Sequence, residues 1–256
     1  GGEDAPTKNI AGLDLFLKKN KDKKDFYFNI FGDQNKINNE LDKNKTNREN
    51  IKIFHTTSVV SDEESPLKAI KSSKNSSMWN AVNSQLNLGS DITVSAGNTG
   101  VLFVISKMIL KNIDKISRPA LAALWPNKKG SNVVLDLGAN VECDENNLVE
   151  FAEMGAALYK SLFISEVPKV ALLNIGSEEI KGTDTIKKAY NILNKISERG
   201  DFHFNGYIEG NKIPEGESNV IVTDGFTGNV ALKTAEGTAK FLTDTLRNVV
   251  SENIIS

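Results

Sequence analysis

The sequence predicts an α/β protein with a Rossmann-like, mostly parallel sheet that is covered by helices on both faces. The first observation is that short apolar runs alternate with segments of helix length along the whole chain. The second is that several of these runs contain continuously apolar stretches, such as residues 170–173 (VALL). Continuous apolar runs are typical of strands buried on both faces, and strand–helix alternation is typical of parallel sheets.

The strands and helices follow one another in a regular order. Strands are expected at residues 25–33, 51–56, 91–94, 133–140, 170–176, 202–210 and 220–225. Helices are expected at residues 7–19, 65–89, 100–115, 146–161, 183–199 and 228–253. The first helix has Asp4 as a candidate N-cap and Pro6 in its first turn. The polar segment near residues 35–50 is expected to be a solvated loop.

Composition argues against several classes of protein. The 256 residues carry a formal net charge of −2, so no global field favours nucleic acid or an anionic membrane. No apolar run approaches the roughly 20 residues that span a bilayer. The single cysteine, Cys143, excludes a disulfide within the chain and fits a reducing compartment. His55 and His203 lie far apart, so no zinc site is expected, and neither a metal nor another cofactor is predicted.

Glycine-containing turns follow four of the expected strands, at residues 95–100, 137–140, 174–177 and 224–229. The carboxyl ends of parallel strands share one edge, and ligands bind in the crevice there. Glycine lets backbone N–H groups approach a ligand closely, and the start of a helix suits an anion. One such turn is weak evidence, but four on one edge favour a polar or phosphate site.

Two side chains near these turns are candidates for chemistry. Lys181 follows the fifth strand and would stabilise a bound phosphate or a developing oxyanion, or else be a solvated lysine at the start of a helix. Asn229 would donate an amide hydrogen bond into the site, or else be a simple N-cap.

The cysteine and the histidines are weaker candidates. Cys143 has no basic partner nearby in sequence, so we interpret it as an inert, packed thiol. His55 ends a strand, and either faces the crevice or is structural. His203 lies in an alternating strand and is interpreted as structural.

A set of basic residues lies on the helix expected at residues 100–115. Lys107, Lys111 and Lys115 are spaced four apart, and Arg118 lies beyond them. This spacing predicts ammonium groups on one helical face, which is either a solvated surface or a dock for an acidic protein.

These motifs together resemble the bacterial phosphate acyltransferase family PlsX. Each motif is weak alone, but their order and spacing cover the whole chain. They are residues 1–6 (GGEDAP), 94–100 (VSAGNTG), 118–122 (RPALA), 135–141 (LDLGANV), 172–176 (LLNIG), 181–182 (KG) and 224–229 (DGFTGN).

The resemblance implies an enzyme that transfers a long-chain acyl group from acyl carrier protein to inorganic phosphate. The product is an acyl phosphate for phospholipid synthesis. It also implies a homodimer with a fold like those of isocitrate and isopropylmalate dehydrogenases and phosphotransacetylases, in the cytoplasm, with reversible membrane association. Members of the family have a strand before the Gly-Gly motif and helices beyond residue 256. The chain is therefore expected to be one α/β domain, residues 1–256, without that strand and those helices.

The resemblance also implies roles for individual residues. By motif position, Lys181 and Asn229 would be catalytic, stabilising the oxyanion or assisting thiolate departure. The acidic protein that the spacing of Lys107, Lys111, Lys115 and Arg118 suggested as a docking partner would then be acyl carrier protein. The side chains and backbone N–H groups of the turns would hold phosphate at Ser95, Gly97, Asn98, Thr99, Gly100, Gly138, Asn140, Gly176 and Gly228.

Other functions share parts of this pattern. A coenzyme A-dependent phosphate acetyl- or butyryltransferase would also bind phosphate with glycine-containing turns after its strands. A metal- and NAD-dependent dehydrogenase of the same fold would need a metal-binding cluster that the sequence lacks. A non-catalytic anion-binding scaffold at the membrane would use the amphipathic last helix, although core or dimer packing also explains that helix.

Overall fold

The computed structural model describes residues 2–23, 25–61, 63, 65, 72–163 and 167–254. The chain forms two compact units, Gly1–Ile113 and Asp114–Ser256, called here the first unit and the second unit. Each unit contains its own sheet. The organisation of residues 1–256 as one domain stays a prediction.

The first unit is built around a parallel pair of strands. Its elements are α1 (Thr7–Lys19), β1 (Phe28–Gly32), α2 (Gln34–Lys43), β2 (Ile51–His55), α3 (Ser77–Asn87) and α4 (Thr99–Leu110). Phe28 lies opposite Ile51 at one end of the pair and Gly32 lies opposite His55 at the other. The carboxyl ends of the two strands are therefore side by side.

Two apolar clusters hold the first unit together. Ile10 of α1 packs with Ile37 and Leu41 of α2 against the isoleucines of the sheet. Val82 of α3 packs with Val101 and the rest of the α4 apolar face. Every residue named here is almost fully buried, which is the main source of stability in a unit this small.

Three expectations for the first unit are wrong. Residues 35–50 are not a loop throughout, because α2 begins after Asp33, whose carboxylate accepts hydrogen bonds from the N–H groups of Asn35 and Lys36. Residues 91–94 form no strand, and Val94 is 89% exposed. The helix expected to reach residue 115 ends at Leu110.

The helix expected at residues 65–89 is found over a shorter range. It begins after Ser76, whose hydroxyl accepts a hydrogen bond from the N–H of Trp79. The part of this prediction that covers residues 66–71 lies outside the described residues.

The second unit contains the mostly parallel sheet that the sequence predicts. Its elements are β3 (Ala122–Asn127), β4 (Gly130–Leu135), α5 (Glu145–Leu162), β5 (Lys169–Leu173), α6 (Asp184–Ser197), β6 (His203–Ile208), a 3₁₀ helix (Gly210–Glu215), β7 (Val220–Val222) and α7 (Gly225–Ile254). The strand order is β3-β4-β7-β5-β6. Only β3 is antiparallel, and it forms an unpredicted hairpin with β4.

Both faces of this sheet are covered, which explains the continuous apolar runs. Alternate residues of β4, β5 and β7 pack against α5 and α6 on one face. The intervening residues pack on the other face against Ile213 of the 3₁₀ helix and Leu232 of α7. A Cβ on Gly155 of α5 would lie 2.5 Å from Val220 Cγ1, so glycine lets α5 approach the sheet closely.

In the described part of the chain, no helix combines the length and the apolar composition that crossing a bilayer requires.

Candidate functional site

Three of the four predicted glycine turns lie at one edge of the second unit. The strands that they follow, β4, β7 and β5, are direct neighbours, and all three run parallel. The fourth turn, residues 95–100, belongs to the first unit and follows no strand. The prediction of four turns on one sheet edge is therefore wrong for that turn, and right for the other three.

A buried carboxylate organises the turn after β4. Asp136 is fully buried. Its Oδ1 accepts hydrogen bonds from the backbone N–H groups of Leu121 (3.0 Å), Gly138 (3.2 Å) and Ala139 (3.0 Å). Its Oδ2 accepts from the backbone N–H of Asn140 at 2.7 Å. The N–H groups expected to hold phosphate at this turn are therefore directed to an anion that belongs to the protein.

The Asn140 side chain also serves the turn. Its Nδ2 donates to Asp136 Oδ2 at 2.9 Å and to the Pro119 carbonyl at 2.8 Å. Its backbone carbonyl accepts a hydrogen bond from the Gly225 N–H at 2.8 Å. With both amide hydrogens engaged in this way, the geometry favours a supporting role for Asn140 over the predicted contact to phosphate.

Glycines bring the turn after β7 against the turn after β4. A Cβ on Gly225 would lie 2.6 Å from the Asn140 carbonyl oxygen, and one on Gly228 would overlap the Asp136 carbonyl oxygen. The two turns are thus in direct contact, and a side chain at either glycine would separate them. Gly228 therefore has a steric role in the contact between the turns, and its role in phosphate binding stays a prediction.

Asn229 lies beside the turn after β4. Gly138 has φ +132°, and a Cβ built on it would lie 3.5 Å from Asn229 Cβ and 3.6 Å from its Cγ. The N-cap of α7 is Asp224, whose Oδ1 accepts the Thr227 N–H at 2.8 Å. Asn229 therefore does not cap the helix, and its side chain is exposed at the edge.

Lys181 is held at the end of β5 through its backbone. The buried Asn174 donates from Nδ2 to the Lys181 carbonyl at 3.2 Å. Gly176 leaves room for the aliphatic part of the lysine, since a Cβ there would lie 3.1 Å from Lys181 Cγ. Gly182, at φ +91°, packs on Asn174. The main chain is fixed, while the Lys181 side chain remains exposed.

The predicted row of basic residues does not form one helical face. Helix α4 ends at Leu110, and Lys111 is its C-cap with φ +63°. Only Lys107 of the set lies within the helix. Lys115 and Arg118 belong to the second unit. This prediction was wrong because the apolar part of the helix stops before the periodic lysines do.

Arg118 instead lies at the carboxyl edge of the second unit's sheet, where it places a positive charge. Its Nη1 donates to the carbonyl of Glu142, just after the turn of Asp136, at 2.9 Å. The segment is anchored next to it, where the Ser117 N–H donates to Glu150 Oε2 at 2.9 Å. Sequence reasoning did not assign Asp136 to the site and gave Arg118 another role. Their only signal was membership of the 118–122 and 135–141 motifs.

In the first unit, the turn of residues 95–100 is closed by its own side chains. Asn98 caps α4, because its Oδ1 accepts the Val101 N–H at 3.1 Å. Ser95 Oγ accepts the Gly97 N–H at 3.2 Å. Thr99 and Gly100 form the first turn of the helix. Phosphate binding by these residues stays a prediction.

His55 lies at the carboxyl end of β2 and is exposed. Its Nδ1 accepts a hydrogen bond from the Gln34 N–H, at the start of α2, at 3.2 Å. The side chain therefore has a structural contact, and it also lines a pocket of about 280 Å³.

Cys143 lies against the turn after β4, with its Sγ 3.5 Å from the Asn140 carbonyl oxygen. Burial raises the pKa of the thiol to about 11, with smaller contributions from Asp136 and Asp224. The thiol is protonated at neutral pH, which agrees with an inert role and argues against a nucleophilic one.

Among the residues that the structure describes, no group of three or more His, Cys, Asp or Glu side chains is arranged to hold a metal ion.

Two solved structures of acyl-transferring enzymes are similar to this chain. One is the EutD phosphotransacetylase from Staphylococcus aureus, with a TM-score of 0.61, 15% identity, and coverage of 91% of this chain and 79% of that one. The other is a branched-chain phosphotransacylase from Enterococcus faecalis, with a TM-score of 0.50, 16% identity, and coverage of 91% and 81%. At these identities the similarity shows the fold alone.

Sequence comparison gives the family. The family described as "Fatty acid synthesis protein" matches residues 1–256. A phosphate acyltransferase of Pelagibacter ubique is 52% identical over 255 residues, which cover 100% of this chain and 75% of that protein. One of Maricaulis maris is 40% identical over 256 residues, which cover 100% and 72%. The chain therefore belongs to the fatty acid synthesis protein family, in which its curated relatives are phosphate acyltransferases.

Proposed function

We propose that this acyltransferase moves a long-chain fatty acyl group from acyl carrier protein to inorganic phosphate, and that the chemistry takes place at the carboxyl edge of the second unit. Family membership supports acyl transfer to phosphate. The observation that carries the choice of site is that Asn229 and Lys181 are exposed on turns that the protein itself fixes. The product would be an acyl phosphate for phospholipid synthesis.

The reaction needs little beyond positioning and charge. An oxygen of HPO₄²⁻ attacks the thioester carbonyl carbon, and a C–O bond forms as the carbonyl oxygen becomes an oxyanion. The tetrahedral intermediate then collapses, the C–S bond breaks, and the carrier leaves as a thiolate that takes up the remaining phosphate proton. Phosphate is nucleophilic at neutral pH and a thiolate leaves readily, so no strong base is required.

Phosphate bound at this edge would lie near negatively charged side chains. Asp136 and Asp224 already place carboxylates at the ends of β4 and β7. A phosphate dianion there would be repelled unless cations offset it. We assign that task to Lys181 on the β5 side and Arg118 on the β3 side. Asn229 would donate its amide N–H to the oxyanion.

The test is the formation of acyl phosphate from palmitoyl–acyl carrier protein, with and without phosphate, measured by mass spectrometry. Lys181→Ala and Asn229→Ala should each lower turnover by about 10²–10³-fold while the protein stays folded, because both side chains are exposed. Near-normal acyl phosphate formation by both variants would overturn the site assignment.

Matched controls come from the same second unit. Lys169→Ala removes an exposed lysine at the amino end of β5, whereas Lys181 lies in the segment that follows the carboxyl end of this strand. Asn194→Ala removes an exposed asparagine of α6. Both controls should retain full turnover. Palmitoyl-coenzyme A and acetyl-coenzyme A in place of the carrier thioester separate the proposed donor from the coenzyme A-dependent alternative.

We also propose a cytoplasmic homodimer with reversible membrane association, as the family resemblance implies. Helix α7 supports an interaction surface, since several of its apolar side chains are half exposed or more: Phe226, Val230, Phe241, Leu242, Leu246, Val249 and Val250. Light scattering gives the oligomeric state, and sedimentation with anionic vesicles tests membrane binding. A monomer in light scattering would contradict the homodimer, and a protein that does not sediment with the vesicles would contradict membrane association.

A further inference from the structure

We propose that a pocket at the carboxyl end of the first unit's sheet binds the pantetheine arm, the slender amide-containing chain that carrier-protein and coenzyme A thioesters share. The inference rests on the proposed function, because a thioester donor is the substrate of that reaction. Ligands of open parallel sheets bind at the carboxyl ends of strands, which is where this pocket lies.

The walls of the pocket are apolar. Phe31 of β1 and Phe54 of β2 lie opposite each other in the sheet, and their rings stack with centroids 4.9 Å apart. Leu88, at the end of α3, completes this surface. The volume of about 280 Å³ suits a narrow chain and is at the small end for ligand sites.

A buried hydroxyl in this pocket has no partner in the described part of the chain. Thr56 is 6% exposed, and its Oγ1 makes no hydrogen bond to any described residue. Its backbone N–H donates to the Gly32 carbonyl at 2.9 Å, so the chain is still paired in extended form at this residue. Alternation along the strand then directs Thr56 to the same side as Phe54. A buried polar group without a partner is rare, and a ligand amide would satisfy it.

The remaining polar groups suit an amide chain. Asn80 and Asn87 of α3 line the pocket, and a carboxamide pairs readily with another amide. His55 also lines it. Because Nδ1 of His55 accepts the Gln34 N–H, the proton of the neutral ring is on Nε2, which makes that atom a donor.

Among the residues that the structure describes, the lining contains no carboxylate, ammonium or guanidinium group. A phosphate or carboxylate ligand would meet no described lysine or arginine here, whereas the secondary amides of an uncharged chain need only hydrogen-bond partners, which Thr56, Asn80 and Asn87 can supply. This distinguishes the pocket from the second unit's edge, where cations are available for phosphate.

The decisive variant is Thr56→Val, which keeps the shape of the side chain and removes the hydroxyl. Pantetheine itself is titrated into the whole chain by calorimetry. We expect binding at least fivefold weaker in the variant, with a melting temperature equal to or above that of the unmodified chain. Thr56→Ser, which restores the hydroxyl, should recover binding. Thr57→Val, at the exposed neighbouring residue, should leave it unchanged.

Equal pantetheine affinity in the unmodified chain and in Thr56→Val would overturn the proposal. Turnover assays of Thr56→Val identify which donor supplies the arm. The KM should rise several-fold, at constant kcat, for the carrier-protein thioester, for the coenzyme A thioester, or for both. No rise for either donor would also overturn it. Pantetheine binding is measured without turnover. If pantetheine binding depends on Thr56 but no acyl phosphate forms, the proposed function is refuted and the pantetheine site is not.

Discussion

The carboxyl edges of the two sheets differ in whether their buried polar groups are hydrogen-bonded within the protein. In the second unit, Asp136 takes up the N–H groups of its own turn, and Asn140 donates to the same carboxylate and to a nearby carbonyl. In the first unit, the Thr56 hydroxyl is buried in a pocket and has no partner among the described residues. A turn whose polar groups are internally paired is a rigid support, and its chemistry falls to exposed side chains. A pocket with an unpaired group is suited to a ligand.

The strongest test of the rigid edge is Gly228→Ala. The added Cβ would overlap the Asp136 carbonyl oxygen and lie 2.9 Å from Thr223 Cγ2, so the turns must separate. We expect the free energy of unfolding to fall by about 3 kcal/mol or more in chemical denaturation.

Gly237→Ala is the control for that experiment. It lies in the same helix, and a Cβ there would meet nothing within 4 Å. Alanine in an open helical position should raise the free energy of unfolding by about 0.5–1 kcal/mol. If both glycine variants behave alike, the contact between the turns does not stabilise the protein.

Asp136→Asn should have the next largest effect. The new amide hydrogens would face the N–H and Nδ2 groups of Asn140, which need an acceptor. We expect a loss of about 2–3 kcal/mol in the free energy of unfolding, and lower turnover because the turn beside Asn229 is no longer fixed. Asp114→Asn, at an exposed aspartate of the same unit, should change neither quantity. Unchanged stability in Asp136→Asn would show that the turn does not depend on this carboxylate.

The smallest effect concerns Cys143, which lies beside the same turn. Because burial raises its pKa to about 11, the folded state binds this proton more tightly than the unfolded chain, whose thiol has a pKa near 9.0. The stability associated with this shift is present below pH 9.0 and is lost as the pH rises towards about 11. Cys143→Ala should remove this dependence.

The ionisation of Cys143 is measured by its rate of alkylation with iodoacetamide. The rate should be slow at pH 7 and should rise about tenfold per pH unit, levelling off near pH 11. A plateau near pH 8 would mean that the thiol is not shielded, and that the edge is more open than its packing indicates.

The sequence was sufficient for elements whose pattern is local. Helix α1 has the predicted bounds, and the apolar runs of β4, β5 and β7 identified strands buried on two faces. Helix α2 was missed because only Ile37 and Leu41 of its ten residues are buried apolar side chains, so its periodicity is weak. Residues 91–94 have a strand-like composition, but a strand also needs a neighbour to pair with.

The sheet edge with the glycine turns was predictable, but the hydrogen bonds within it were not. Glycines after strands correctly indicated the edge formed by β4, β7 and β5. Composition does not tell which way a backbone N–H points, so the capture of these donors by Asp136 could not be foreseen. Arg118 was misassigned for a related reason: helical spacing was extended past the residue where α4 ends.

The carboxylate of Asp136 has a consequence for how the enzyme meets its nucleophile. An anion that is covalently attached is present at the turn at a very high effective concentration, far above that of any dissolved ion. The edge is therefore assembled whether the surrounding phosphate is abundant or depleted. Under the proposed function, a shortage of phosphate would therefore stop the reaction without disordering the turn that Asp136 organises.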